Sequence, residues 1–327
     1  KRSNAKKLFL YSITITFSIL LIDAYYQYFN GANILGYPYF ESKGRLSGLF
    51  GDELRLGSYL SRLMPLLFAL AIVSIKKPRN FLLLLCFFLV FIDVLVYLTG
   101  ERSAFLILLI TTFLMIILIN DFKRFRIFTF AISIIFILII TFFNDKVRFR
   151  MIESTYNQIN FTDENYVADH ELFFITSLKM FQENPVTGIG PKMYRNLCNN
   201  EEYFTKSELY TGCSTHPHFT YLQVMAETGV IGFLILFSCY FVILWRLFKL
   251  AENAKNQNYF FNSLIITSFA LLFFVQTSLN IFVNLGVIPT KGLTLPFISY
   301  GRSSVIMNFI ALAITLRASW EFRNKIK

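Results

Sequence analysis

The sequence predicts an all-α, polytopic integral membrane protein of about 8 transmembrane helices, with one large loop on its outer side. Three observations predict it. The 327-residue chain is 55% hydrophobic and 18% aromatic with only 16% charged residues, a balance foreign to soluble domains of this size. The apolar residues gather in runs close to the roughly 20 that a helix needs to cross about 30 Å of hydrocarbon. The basic residues fall in short clusters between those runs. Despite a formal charge of +11, that spacing suits topology signals rather than one basic face, and it argues against a nucleic-acid partner.

The spans follow in order. The first run covers residues 8–22, and a second ends before Lys76. Others cover 82–98, 104–119, 127–143, 230–245 and 263–283, and a last one precedes Arg323. They lack the alternation of barrel strands, and backbone in lipid must satisfy its own hydrogen bonds, so each is a helix. With eight spans, one side collects Lys1, Arg2, Lys6 and Lys7, then Lys76, Lys77 and Arg79, then Lys123, Arg124 and Arg126. The same side collects Arg246, Lys249 and Lys255, and finally Arg323, Lys325 and Lys327. The positive-inside rule makes that side cytoplasmic and puts both termini there. A basic start before an apolar run also fits a signal peptide, but Asp23, Tyr25 and Tyr26 stand where small cleavage-site residues are wanted, which favours a retained helix. The chain does not begin with Met, which leaves room for earlier helices. Residues 1–327 are expected to form a single membrane domain, with 144–228 as its periplasmic loop.

The polar material lies outside, in residues 27–57, 100–103, 144–228 and 286–302. The cytoplasmic connections are short and basic, with no phosphate loop or dinucleotide fingerprint. The long segment is too large for an idle connection. An amphipathic helix over 171–181 is stopped by Asn184-Pro185, and Gly188-Ile-Gly190-Pro191 turns the chain before Lys192 and Arg195. Cys86 and Cys239 sit in apolar runs as packing residues. Cys198 and Cys213 share the outside loop, where an oxidising compartment favours a bridge over two free thiols.

Candidate chemistry concentrates at two places. His216 and His218, flanking Pro217 just before a span, are two of the chain's three histidines. Imidazole accepts a proton near neutral pH, which makes them candidate general bases. A zinc site would need further ligands at a recognised spacing, so neither a metal nor a cofactor is called for. Arg45, Arg55, Arg62, Arg102, Arg148, Arg150 and Arg195 all lie on the side that the positive-inside rule disfavours. Guanidinium groups suit phosphate or pyrophosphate, and a polyanionic lipid headgroup is the natural ligand; salt bridges to Asp52, Glu53 and Glu101 are the bland alternative. Arg102 stands at the mouth of a span, and Asp23 and Asp93 lie within spans as partners for charges or for polar backbone. A transporter or lipid-carrier flippase would share the helices and arginines, but no internal repeat is visible and a flippase has little use for paired histidines.

Several of these stretches resemble the bacterial O-antigen ligase and O-antigen polymerase family: Arg45-Leu-Ser-Gly-Leu-Phe-Gly-Asp-Glu, Gly100-Glu-Arg-Ser-Ala, Asn184-Pro-Val-Thr-Gly-Ile-Gly-Pro-Lys, and His216-Pro-His-Phe-Thr-Tyr-Leu-Gln with Ala226-Glu-Thr-Gly-Val-Ile-Gly. That likeness covers roughly residues 20–245. The stretch from Gln276-Thr-Ser-Leu-Asn to Lys291-Gly-Leu-Thr-Leu-Pro-Phe-Ile-Ser-Tyr-Gly301-Arg-Ser-Ser resembles the SEDS peptidoglycan polymerases instead, except that Arg302 replaces a second Gly. It makes residues 259–327 SEDS-like C-terminal helices. In the SEDS alignment the family's catalytic Asp falls on His218. The O-antigen resemblance is taken as primary. It implies a metal-independent membrane glycosyltransferase of lipopolysaccharide biosynthesis in the bacterial cytoplasmic membrane. The glycan would pass from an undecaprenyl-pyrophosphate carrier to lipid A core or another glycan. The alternative is a SEDS-type enzyme using lipid II. On either reading His218 is the expected base with His216 orienting or replacing it, while Arg45, Arg102, Arg195 and Lys192 bind substrate. Lys291 is a further phosphate candidate from the SEDS-like segment.

Overall fold

The computed structural model describes residues 2–40, 44–74, 79–120, 123–159, 164–206, 211–217, 219–284, 295–298 and 302–323. These residues form twelve α-helices and, among the described residues, only isolated β-bridges. The long apolar runs become α1 (Arg2–Asn30), α2 (Leu56–Ser74), α3 (Arg79–Leu98), α4 (Arg102–Leu118), α5 (Lys123–Phe143), α10 (Thr220–Asn256), α11 (Phe260–Asn284) and α12 (Arg302–Arg323). Four stretches are long and apolar enough by composition to cross a membrane: Asn80–Leu98, Lys123–Phe143, Thr220–Asn256 and Phe260–Val283. The all-helical polytopic architecture expected from the sequence is thus what the chain adopts.

The helices belong to two compact units. Unit 1 comprises Lys1–Ser154, Leu247–Val275 and Arg302–Lys327; unit 2 comprises Thr155–Arg246 and Gln276–Gly301. In unit 1, α1 packs on α2 and α3, α2 on α4, and α3 on α5. Their shared core includes the fully buried Phe17, Leu60, Leu67, Leu89, Ile92 and Leu108. The other face of α1 exposes Leu8, Tyr11, Ile15, Ile19, Ile22, Tyr26 and Phe29, a helical spacing that forms one lipid-facing stripe. Hydroxyls inside this unit fold back on their own helices: Thr111 donates to the Ile107 carbonyl at 2.6 Å and Thr141 to that of Ile137 at 2.7 Å. In lipid such bonds answer groups that water cannot reach.

Two opposite charges inside unit 1 form a buried pair. Arg126, expected as a loop charge marking the cytoplasmic side, turns inward near the start of α5. Its two terminal nitrogens grip Asp93 of α3 at 2.9 and 3.0 Å, and both side chains are buried. Thr112 of α4 accepts from the same guanidinium at 2.9 Å, and Ser133 donates to Asp93 at 2.8 Å. One ion pair therefore ties three helices together. Asp23 of α1 takes the other role foreseen for it and serves backbone: it accepts from the Ile34 N–H at 3.1 Å and from the Asn33 amide at 3.3 Å.

Unit 2 carries the long loop segment. α7 (Ser154–Ile159) joins the two units, and α8 (Glu164–Glu183) ends where Asn184-Pro185 was expected to stop it. The single turn α9 (Tyr194–Leu197) and the first part of α10 complete the loop's framework. α10 begins ten residues before the expected span, and Gly229 breaks it with φ 66° and ψ −170°.

Candidate active site

In unit 1 the outside loops are organised by the last turns of α1. The Gln27 amide oxygen accepts from the Ser47 and Gly48 N–H groups at 3.2 and 2.8 Å, while its nitrogen donates to the carbonyls of Tyr37 and Pro38. This holds residues 37–38 and 47–48 over the helix end and helps fix the position of Arg45. Glu101, 6% exposed, lies at the entrance to α4 and receives the first free N–H groups of α2: Gly57 at 2.7 Å, Ser58 at 3.2 Å, and the Ser58 hydroxyl at 2.6 Å. A carboxylate at a helix N-terminus answers both the orphan donors and the helix dipole. Burial pushes its carboxyl above the usual range, opposed by the Ser58 hydrogen bonds, the Gly57 N–H and the charge of Arg45. The approach is close enough that a Cβ on Gly57 would lie 2.4 Å from the Thr99 hydroxyl.

Three arginines surround this carboxylate's end of the unit. Arg45 donates to the Leu54 carbonyl at 2.8 Å, and its buried Nε has no hydrogen-bond partner. Arg150 donates to the Gly100 carbonyl at 3.3 Å. Burial lowers the affinity of Arg150 for its proton and the neighbouring Arg45 charge lowers it further; burial does the same to Arg45 against the pull of Glu101. Gly100, at φ 68°, permits the meeting, since a Cβ there would stand 2.4 Å from the Gly44 carbonyl oxygen. Arg102, expected as a phosphate ligand, points along the chain after α5. It donates to the Arg150 carbonyl at 3.0 Å and to the carbonyl and hydroxyl of Ser154, and so braces the turn that presents Arg150. The bland reading holds for Arg55, which pairs with Glu53 at 3.2 Å, and for Arg148, which pairs with Asp145 and Glu153. Arg62 is buried in α2. Two partly buried guanidiniums, of which Arg45 alone feels the Glu101 charge, leave an excess of positive charge suited to an anion.

Unit 2 builds its loop by backbone pairing. Residues 185–190 lie antiparallel to 226–231: the Ile189 and Gly190 N–H groups donate to Ala226 and Glu227, and the Val230 N–H donates to Pro185. A Cβ on Gly229 would sit 2.1 Å from the Val186 oxygen, and one on Gly188 would sit 2.4 Å from the Glu227 backbone. Two of the sequence stretches singled out above are therefore halves of one structure. Buried Glu227 accepts from the Tyr194 N–H and the Gln223 amide, both at 3.3 Å, an orienting role in keeping with its place at the start of the span. Tyr194, fully buried, donates to the Gly212 carbonyl at 2.9 Å. Cys198 and Cys213 form the expected disulfide.

Beside that bridge, an open hollow of about 490 Å³ is lined by Arg195, Asn196, Asn199, Thr211, Ser214 and Thr215. His216 stands next to it, its Nδ1 paired with the Thr215 hydroxyl at 3.0 Å. Burial, and then the Arg195 charge, hold this imidazole below its usual value near 6.5, which leaves it neutral and able to accept a proton at pH 7. Of the expected site residues, unit 2 thus brings together His216 and Arg195. Lys192 is exposed on the turn before α9, at φ 63°. His218 and Lys291 lie outside the described residues. Among the described residues, no three His, Cys, Asp or Glu side chains converge as a metal site. Sequence reasoning counted Arg150 only as one of seven outside arginines and Glu101 only as a salt-bridge partner, because their roles depend on partners about 50 residues away.

Residues 84–237 match the family model described as O-Antigen ligase, and residues 218–324 match the model described as Cell cycle protein, of the FtsW/RodA/SpoVE family. Neither covers half of the chain. A protein of Thiomicrospira cyclica named probable peptidoglycan glycosyltransferase FtsW is 44% identical over 108 residues, 33% of this chain and 28% of that protein. A protein of the same name from Wigglesworthia glossinidia brevipalpis is 32% identical over 250 residues, 76% of this chain and 60% of its own. The chain thus spans 28% to 60% of the length of these two relatives. A solved chain, from a study of how a peptidoglycan synthase complex coordinates polymerization and crosslinking, is similar with a TM-score of 0.57 and 20% identity over 98% of this chain and 82% of that one; the likeness is one of fold. The protein is a multi-pass protein of the bacterial cytoplasmic membrane. The O-antigen ligase or polymerase reading is corrected by these findings, and with it lipid A core as acceptor and the placement in lipopolysaccharide synthesis. The central motifs do match an O-antigen model, but the peptidoglycan relatives account for both the C-terminal segment and, in the Wigglesworthia protein, a stretch of 250 residues.

Proposed function

We propose that the chain is a SEDS-type peptidoglycan glycosyltransferase, moving the glycan of lipid II from its polyprenyl diphosphate to a hydroxyl of a second glycan at the outer face of the membrane. The observation that carries this reading is the Arg45 and Arg150 pair beside Glu101, a partly buried cationic site suited to a diphosphate. The likeness to proteins named peptidoglycan glycosyltransferase supports the choice of lipid II.

His218 takes the acceptor's hydroxyl proton, and the freed oxygen attacks the anomeric carbon. The carbon–oxygen bond to the diphosphate breaks and its electron pair leaves on the phosphate. An imidazole here does the work that the family's Asp does at the matching position, since either accepts a proton near neutral pH. His216, neutral at pH 7, orients that step or substitutes in it. Arg45 holds the donor diphosphate with Arg150, and Arg102 joins them or positions them through the turn it braces. Lys192 and Arg195 bind the glycan's anionic groups. A good leaving group lets positioning and charge stabilisation carry the rate without a metal.

The test is polymerisation of fluorescent lipid II by the full chain in liposomes. His218→Ala should lower turnover by about 10²-fold or more, and His218→Asp should restore much of it. Arg45→Ala should impair turnover at saturating lipid II. No polymer from lipid II with the wild-type chain, or full activity in His218→Ala, would sink the respective assignment.

A further inference from the structure

Two stretches of unit 2 are joined by the Cys198–Cys213 bridge: α9 with the residues after it, and residues 211–215. The bridge is one of several ties. The Gly212 N–H donates to the Thr205 carbonyl at 2.7 Å, and the Gly212 carbonyl accepts from the buried Tyr194 hydroxyl at 2.9 Å. The packing is close enough that a Cβ on Gly212 would stand 2.3 Å from the Thr176 hydroxyl. The hollow of about 490 Å³ that these stretches line therefore has fixed walls, and its volume falls in the range of small-ligand sites.

The wall chemistry specifies the ligand. Arg195, Asn196 and Asn199 come from the first stretch, and Thr211, Ser214 and Thr215 from the second. Two of these are engaged: the Thr215 hydroxyl pairs with His216 Nδ1 at 3.0 Å, and the Asn196 amide leans on the Met193 sulfur at 3.8 Å. Arg195 is exposed and forms no ion pair with a described carboxylate, and among the described residues that line the hollow none is acidic. One guanidinium among neutral donors and acceptors suits one carboxylate, which matches its two parallel N–H groups. A diphosphate brings more charge than a single guanidinium answers; Arg45 and Arg150 offer two. The carboxamides each donate and accept, as peptide groups do. No aromatic side chain is among the described lining residues, so a sugar ring finds no platform to stack on.

We propose that this hollow binds a short peptide by its carboxylate, namely the peptide branch of the peptidoglycan precursor. That source rests on the proposed use of lipid II; the affinity for an acidic peptide does not. Arg195 holds the carboxylate, and Asn199 and Ser214 hold the adjoining peptide groups. The hollow thus selects substrate by a part that does not react.

Three soluble probes test this on the full chain in nanodiscs, with affinities read by saturation-transfer NMR: the disaccharide pentapeptide of lipid II freed from its carrier, the same molecule with every carboxyl amidated, and the disaccharide alone. The wild-type chain should bind the acidic pentapeptide about fivefold more tightly than the amidated one, the scale of one exposed ion pair. Arg195→Ala, a change at an exposed position, should erase that difference, and Arg195→Lys, which keeps the charge without the fork, should restore part of it. Asn199→Ala should weaken both peptide forms alike. Equal affinity for the acidic and amidated forms in a wild-type chain that polymerises lipid II would overturn this inference alone. So would a bare disaccharide that binds as well as the pentapeptide form, which would make the hollow a sugar site. A chain that makes no polymer from lipid II yet still tells the two peptide forms apart would remove the proposed reaction and keep the hollow as an acidic-peptide site.

Discussion

Units 1 and 2 hold their charged groups by opposite means. In unit 1 the charges are taken inside: Arg126 and Asp93 bind within a helix layer, and Glu101 sits among N–H groups at the start of α2. In unit 2 the backbone provides the order, through glycines at 188 and 229 and the disulfide, while Arg195, Lys192 and His216 stay near water. Charge buried in lipid acts strongly and must be fully partnered. Charge on a pinned loop acts weakly but remains open to substrate and solvent. The difference is that between fixing an anion site and exchanging a proton.

The largest effect should come from breaking the buried pair. Asp93→Ala strands a guanidinium within unit 1 and should cost about 3–5 kcal/mol, read as a collapse in folded yield or in thermal unfolding midpoint in detergent. The double change Asp93→Leu with Arg126→Met should recover most of it. If the single change were as mild as a surface substitution, the claim that unit 1 depends on internal ion pairing would fail.

Unit 2 should respond less, and to a different reagent. Opening the Cys198–Cys213 bridge frees a loop of 15 residues in sequence separation, for which chain entropy gives about 3 kcal/mol. Dithiothreitol, or Cys198→Ser with Cys213→Ser, should loosen residues 198–213 to hydrogen exchange while protection in α3 and α5 stays as it was. Equal loosening of both units would erase the contrast.

The contrast also explains what the sequence could disclose. Apolar runs announce helices because lipid leaves the backbone no other structure, and a loop in an oxidising compartment announces its disulfide. Arg126 was misplaced because a basic residue near a helix start looks the same whether it faces the cytoplasm or turns inward; only Asp93, on another helix, decides. The early start of α10 was hidden by Gly229, since a helix broken by one glycine leaves no interruption in hydropathy. Glu101 as the cap of α2, and Arg150 beside Arg45, need partners far along the chain. The O-antigen reading came from giving the stretches around Arg45, Gly188 and His216 more weight than residues 276–304. His218 in place of an Asp added to that, although the two side chains can perform the same proton transfer.

The smallest effect separates the units most finely. The pKa of His216 is held down first by burial and then by Arg195, so its imidazole stays neutral to a lower pH than a free one. Arg195→Ala removes the second cause and leaves the first. The midpoint should therefore rise toward the ordinary value, and protonation should set in at higher pH. Titration of ¹³C-labelled histidine in micelles, assigned with His216→Gln, reads this without relying on turnover. Raising the salt to 1 M, where the screening length falls to about 3 Å, should move the wild-type midpoint in the same direction, because the partners lie near water. The same salt should leave the unfolding midpoint set by Arg126 and Asp93 almost unchanged, since ions do not reach a pair sealed among helices. A His216 midpoint indifferent to both the substitution and the salt would mean that burial alone sets it, and that Arg195 stands beside the imidazole without acting on it.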